Sequence, residues 1–212
     1  MGGMLALDHV IVAVEDLDAA TEHVRSHYGW GVCGGGRHPG GTENRAVPLG
    51  GTQYLELITP YDPNLSGGRD VVQRLADGEG WFGWGLEDSD LDATAARLAL
   101  TIVEGSIEGR DGQRGMWRIA GIEQSESSDG ALPFFIDYGV DRSATWAQRY
   151  GEAEHVNPPT GISWVEVSFD EEAVSQWLLG SDLPIRLIEG PPGLRCVGIG
   201  CTNGVVAEIR EW

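Results

Sequence analysis

A strand, helix and three-strand pattern occurs three times in succession, and it limits what this chain can fold into more than any other feature. From Leu7 the residues alternate as in a half-buried strand, with Val10, Val12 and Val14 on one face and Leu7, His9, Ile11 and Ala13 on the other. Asp16 follows as a helix N-cap, and Leu17, Ala20, Val24 and Tyr28 recur at helical spacing until Gly29 ends the helix. The stretch from Gly29 to Gly51, punctuated by Gly and Pro, has room for two short strands. Tyr54 to Thr59 reads as a further strand, with Leu55 and Leu57 on one face and Tyr54, Glu56 and Ile58 on the other. The unit is therefore βαβββ.

The same order returns from Trp81 to Leu86, through a helix capped by Asp90 and carrying Leu91, Ala95 and Leu98, to strands near Thr101–Glu104, Met116–Ala120 and Pro133–Tyr138. Asp90-Leu91-Asp92-Ala93 echoes Asp16-Leu17-Asp18-Ala19. A third pass starts at Ile162, places Asp170 before a helix bearing Val174, Trp177 and Leu178, and ends with Val205 to Arg210. Repetition on this scale predicts an α+β fold of βαβββ modules over residues 5–60, 80–140 and 161–212, with the charged, Pro-bearing stretch 148–161 between the last two.

Composition narrows the partners. Asp and Glu number 33 against 14 basic residues, all of them Arg, for a formal charge of -19. A field of that sign repels phosphate backbones and anionic headgroups, so neither nucleic acid nor a membrane surface is expected as a partner. Without Lys there is no Schiff-base chemistry and no lysine-bearing phosphate loop. Cys33, Cys196 and Cys201 have no metal-ligand spacing, and their odd number argues against a disulfide framework. The opening from Met1 to Leu7 has no basic segment followed by an apolar one, and no apolar run reaches the ~20 residues of a membrane span. A cytoplasmic location is the expectation.

Specific blocks sharpen the fold. Leu7-Asp8-His9-Val10, the helix start Glu15-Asp16-Leu17, the loop from Gly35 through Arg37-His38-Pro39 to Thr42-Glu43-Asn44, the strand Tyr54-Leu55-Glu56-Leu57, and Pro133-Phe134-Phe135-Ile136-Asp137-Tyr138 together resemble the glyoxalase-like branch of the vicinal oxygen chelate superfamily. That resemblance implies modules packed as one unit, with a cupped mixed sheet around a small-molecule site and helices on the convex side. It also implies that His9 and Glu56 are ligands to a divalent metal such as Zn, Mn, Fe or Ni. Asp137 stands at the position answering to Glu56 in the second module and is the candidate third ligand. The first strand of that module, Trp81 to Leu86, offers no His, so a set of two His and two Glu is absent. A hydrogen-bonded His-Glu pair without metal is the alternative for His9 and Glu56.

The glycine-rich loop supplies the other candidates. Its glycines permit close approach to a ligand, and Arg37, Thr42 and Asn44 are side chains that can grip a carboxylate or carbonyl oxygen. His38 is the candidate general base, or a further metal ligand, with Glu56 as the second catalytic group, and Trp84 is the candidate pocket lining. The loop lacks the strand-turn-helix context of a nucleotide site, so no nucleotide cofactor is expected. Two functions fit these residues. One is a metal-assisted enzyme, a lyase, isomerase or dioxygenase, acting on a small carbonyl- or carboxylate-bearing molecule through enolate or proton-transfer chemistry. The other is a non-catalytic protein of the bleomycin-resistance kind that sequesters a small molecule. The odd module count predicts a homodimer, with Trp164 or Trp177 of the third unit near the interface.

Overall fold

The computed structural model describes residues 4–109, 112, 114–210 and 212. The first module is β1 (Leu5–Ala13), α1 (Leu17–His23), a π-helical turn (Val24–Tyr28), β2 (Cys33–His38), β3 (Thr42–Gly50) and β4 (Gln53–Pro60). Helix α2 (Ser66–Leu75) leads to the second module: β5 (Gly80–Asp88), α3 (Leu91–Leu98), β6 (Ile102–Gly109), β7 (Arg114–Ala120), a short α4 (Ile122–Ser127) and β8 (Phe134–Asp137). Helix α5 (Ser143–Glu152) occupies much of the stretch between the last two units. It is followed by β9 (Pro159–Ser168), α6 (Glu171–Trp177), β10 (Ile185–Leu187), β11 (Gly193–Cys201) and β12 (Val206–Ile209). The three expected caps form, with Asp16 accepting from the Asp18 and Ala19 amides, Asp90 from Ala93 and Asp170 from Ala173.

The first two modules close into one eight-stranded barrel in the order β1-β4-β3-β2-β6-β7-β8-β5. Within each module the first and last strands run parallel, β1 with β4 and β5 with β8, and antiparallel pairing of β1 with β5 and of β2 with β6 joins the halves. The third unit keeps the order of elements but not the wiring. Its sheet runs β10-β9-β11-β12, and its first strand pairs antiparallel with β11.

Two apolar layers result. Outside the barrel wall, Val10, Val12, Leu55, Leu57, Leu86 and Phe135 pack with Leu17, Ala20 and Leu91 of the helices and with Val165, Val167, Val197 and Ile199 of the third sheet. Inside, Ile11, Ala13, Ile58, Ile119, Phe134 and Ile136 form a smaller cluster with Val71 and Leu75 of α2 and Ile122 of α4. The Gln53 side chain ties wall to third sheet, donating to the Leu7 carbonyl at 3.0 Å and accepting from the Ile162 amide at 2.8 Å.

The third unit packs within its own chain. The apolar face of the third sheet is covered by its own barrel, Trp164 is buried, and Trp177 donates its Nε1–H to the Pro133 carbonyl at 2.8 Å while packing on Phe135. No helix among the described residues is long and apolar enough to cross a membrane. Because Ile199 lies fully buried between sheet and barrel, Ile199→Ala should cost about 2–5 kcal/mol. Urea unfolding followed by tryptophan fluorescence should show one shifted transition, and a separate early transition for the third sheet would contradict the shared core.

Candidate active site in the barrel cavity

The site begins with an irregularity in β1. Leu7 pairs with Leu86 and His9 with Gly85, so Asp8 is an extra residue with no partner across the ladder. Such a bulge interrupts alternation and re-aims side chains. Leu7 accordingly sits in the outer layer with Val10 and Val12, not on the His9 face as strict alternation predicts. Asp8 comes to lie fully buried beside His9, with Oδ2 2.6 Å from the His9 Nδ1.

The surroundings of Asp8 explain how a carboxylate survives there. Arg142, just before α5, donates to its Oδ1 and also to Glu87 at 2.9 Å, and the Tyr138 hydroxyl donates to its Oδ2 at 2.8 Å. Burial pushes the Asp8 pKa upward, but the hydrogen bonds from His9 and Tyr138 and the Arg142 charge together hold it below the ordinary 3.8. Burial, with Asp8 nearby, drives the phenols of Tyr54 and Tyr138 well above 10, so both remain protonated donors at neutral pH.

With Asp8 ionised, the His9 Nδ1 carries the proton and Nε2 is left facing Glu56, whose Oε2 is 3.7 Å away. The imidazole is fixed in plane by stacking on Tyr54 at 4.5 Å and by the edge of Phe134 at 5.3 Å. Glu56 is oriented in turn, since its Oε1 accepts from the Asn44 Nδ2 at 2.6 Å and the Asn44 Oδ1 accepts from the Gly36 amide at 2.9 Å. Gly35 is required for this: a Cβ there would fall 2.2 Å from the Asn44 Oδ1. His38 bonds Thr42 through Nδ1 at 2.8 Å and meets the edge of Trp117 at 5.9 Å. Burial pushes its pKa below 6.5, against the opposing pull of Glu56.

His9, His38, Thr42, Asn44 and Glu56 thus line one cavity of about 1070 Å³ inside the barrel, which also takes in Tyr54, Trp117, Tyr138, Arg142 and Trp146. Three other candidates lie elsewhere. Arg37 points outward, its Nε 3.1 Å from Glu43 and its guanidinium over the Tyr61 ring. Trp84 is fully buried in the outer layer and donates to the Gly130 carbonyl at 2.9 Å, because the inward positions on either side of it are Gly83 and Gly85. Asp137 faces out to Arg118 at 2.7 Å, which holds its carboxyl below the usual range. Register explains the displacement: Gly85 pairs with Phe134 as His9 pairs with Tyr54, so Ile136 answers Glu56 and Asp137 falls one residue off, on the opposite face.

These placements bear on a metal. His9 and Glu56 are two donors, the matching positions of the second module carry Gly85 and Ile136, and Glu56 already holds Asn44. Gly85 in fact makes room for the first module, since a Cβ there would be 2.9 Å from the His9 Cε1 and 2.7 Å from Phe134. Among the described residues, no group of three His, Cys, Asp or Glu could hold a metal ion. The donor set does not fit the metal that the resemblance implies.

Sequence reasoning missed Asp8, Tyr138 and Arg142. A signal for Asp8 existed, since strict alternation would have put a carboxylate on the apolar face with Val10. Nothing local announced Arg142, which reaches Asp8 from 134 residues away.

Removing Arg142 leaves a buried carboxylate without its guanidinium partner, so Arg142→Met should destabilise the fold by about 3–5 kcal/mol in chemical denaturation. His38 gives a pH signature. Its folded pKa lies below its unfolded value, so its contribution is complete above pH 6.5 and is lost as the pH falls through 6.5 toward the folded pKa. His38→Gln should flatten the fall of Tm in that window. His155, also pushed down by burial, leaves a residual slope.

Comparison with known proteins places this geometry. The family model described as a glyoxalase-like domain matches residues 7–181. A hypothetical protein from Staphylococcus aureus shares the fold over 99% of this chain and 87% of its own, at 18% identity and a TM-score of 0.64. Methylmalonyl-CoA epimerase, solved in complex with methylmalonyl-CoA and NH4+, is similar over 64% of this chain and 95% of its own, at 24% identity and a TM-score of 0.50. The comparison with curated proteins gave no match. With its paired βαβββ modules closed around a cavity, the chain belongs to the glyoxalase-like domain family of the vicinal oxygen chelate superfamily.

Proposed function

We propose that the barrel cavity is an active site for proton transfer on a small molecule bearing a carbonyl or carboxylate group. The observation that carries this reading is the buried Asp8-His9 pair, which presents the His9 Nε2 toward Glu56 inside the cavity. His9 takes a proton from the carbon next to the substrate carbonyl, the C–H electron pair becomes the enolate, and Asp8 steadies the resulting imidazolium. Glu56 is placed to exchange a proton with the same centre or with His9. His38, neutral at pH 7 and bonded to Thr42, leaves that pair one free donor, the His38 Nε2–H or the Thr42 hydroxyl, to hydrogen-bond the enolate oxygen. No step calls on a metal.

A second reading, non-catalytic binding, is favoured by the second module, where Gly85 and Ile136 place no chemistry opposite His9 and Glu56. Proton transfer leaves a mark that binding does not. In D₂O, proton NMR of 2-oxo acids and ketones incubated with the protein should show loss of the hydrogens next to the carbonyl faster than in buffer. His9→Gln and Asp8→Asn should each slow that exchange by about 10²-fold or more. Exchange no faster than buffer across such a panel, with thermal shifts still proving that the compounds bind, would leave the binding reading in its place.

A further inference from the structure

The two halves of the barrel are built alike, yet their inner walls differ in kind. β1 and β5 pair so that His9 faces Gly85, and Tyr54 and Glu56 on β4 are answered by Phe134 and Ile136 on β8. The first module contributes His9, His38, Thr42, Asn44 and Glu56 to the cavity, with Ile11 and Ile58 beside them, while apart from Tyr138 the strands of the second contribute mainly Phe82, Ile107, Trp117, Ile119, Phe134 and Ile136. Glu104 and Arg114 are exposed side chains in the lining, and Ser125 and Glu126 come from α4.

The apolar wall is only partly covered by protein. Phe82, Ile107 and Trp117 stay half-buried beside the fully buried outer layer, and Val103 at the same wall is 50% exposed. Trp117 is laid on the backbone of β6 by Gly105, where a Cβ would come within 2.0 Å of the indole Nε1. A flat aromatic surface thus borders the cavity across from the His9 wall. At about 1070 Å³ the cavity is at the upper end of the range for drug-sized ligands, so a substrate consisting only of a carbonyl head would leave most of it empty.

We infer that the substrate is amphipathic: a carbonyl or carboxylate head on the wall of the first module, joined to a flat apolar body of at least one ring lying against Trp117 and Ile107. This assignment rests on the proton-transfer reading only for which end of the molecule reacts. On this assignment the second module supplies the wall that recognises the body.

Two compounds with the same head test it. In calorimetric titrations of the full chain, 2-oxo-4-phenylbutanoate should bind about 10-fold or more tightly than 2-oxobutanoate, because only the former has a ring to bury. Trp117→Ala should bring the ratio close to one. Ile107→Asn, at a half-exposed position that tolerates polarity, should shrink it independently, with circular dichroism checking that each variant folds. Equal affinities, no binding by either compound, or a ratio that survives in both variants would overturn the inference. Proton exchange in D₂O separates the two claims. If the phenyl compound binds with the expected preference but its C3 hydrogens exchange no faster than in buffer, the chemistry falls and the recognition stands. If the protein accelerates exchange in 2-oxobutanoate as much as in its phenyl relative and binds both equally, the chemistry stands and the recognition falls.

Discussion

A carboxylate with no exposed surface cannot stay ionised in a barrel wall unless a cation comes to it, and the contact between Asp8 and Arg142 meets that requirement. Much of the site is organised by this one contact. Arg142 stands immediately before α5 and fixes where that helix begins, its guanidinium lying 3.4 Å over the Tyr138 ring. One turn on, Trp146 stacks on Tyr54 at 4.5 Å, and Tyr54 stacks on His9 at the same spacing. The imidazole is therefore held by its Nδ1 and by one ring face, and both restraints trace back to Arg142. Fixing the plane and tautomer of a base in advance spares the reorganisation that a mobile side chain would need during reaction.

The bulge that admits Asp8 also shows how one strand can serve two opposed surfaces. β1 must give Val10, Val12 and Val14 to the outer layer and at the same time bring a hydrogen-bonded pair to the interior. Regular alternation would place neighbouring side chains on opposite faces, and Asp8 could not then reach the His9 Nδ1. An extra residue breaks the parity at that one point. Because Leu5 and Leu7 resume the outward phase on the other side, the core loses nothing.

The fold was legible because its signals are local and repeated. Alternation in β1 and β4, the Asp caps of α1, α3 and α6, and the glycine stop at Gly29 are read within a few residues, and the repeat makes each confirm the next. The inward pair His9 and Glu56 followed from parity because the stretch from His9 to Ala13 and the whole of β4 hold their phase. Parity also explains the failures. Asp137 matches Glu56 only by its place near the strand end, and one residue of register puts it on the other side of the sheet, at Arg118. Trp84 has the chemistry of a cavity wall, whereas its two glycine neighbours mark the inward positions. Arg142 was invisible because a contact across 134 residues is set by barrel closure and has no local periodicity.

The third sheet turns a cavity-bearing barrel into a stable object. A barrel that keeps about 1070 Å³ open cannot draw its cohesion from its interior, and the inner cluster here is the smaller of the two. Cohesion must come from the other side of the wall, where α1 and α3 cover only part of the surface. β9 and β11 cover more of it, contributing Val165, Val167, Val197 and Ile199, and Gln53 registers them against β1. Every strand residue that packs outward in this way releases its inward neighbour from a packing role. His9, Asn44 and Glu56 can then be chosen for chemistry, because Val10, Val47, Leu55 and Leu57 hold the wall in place from the other side.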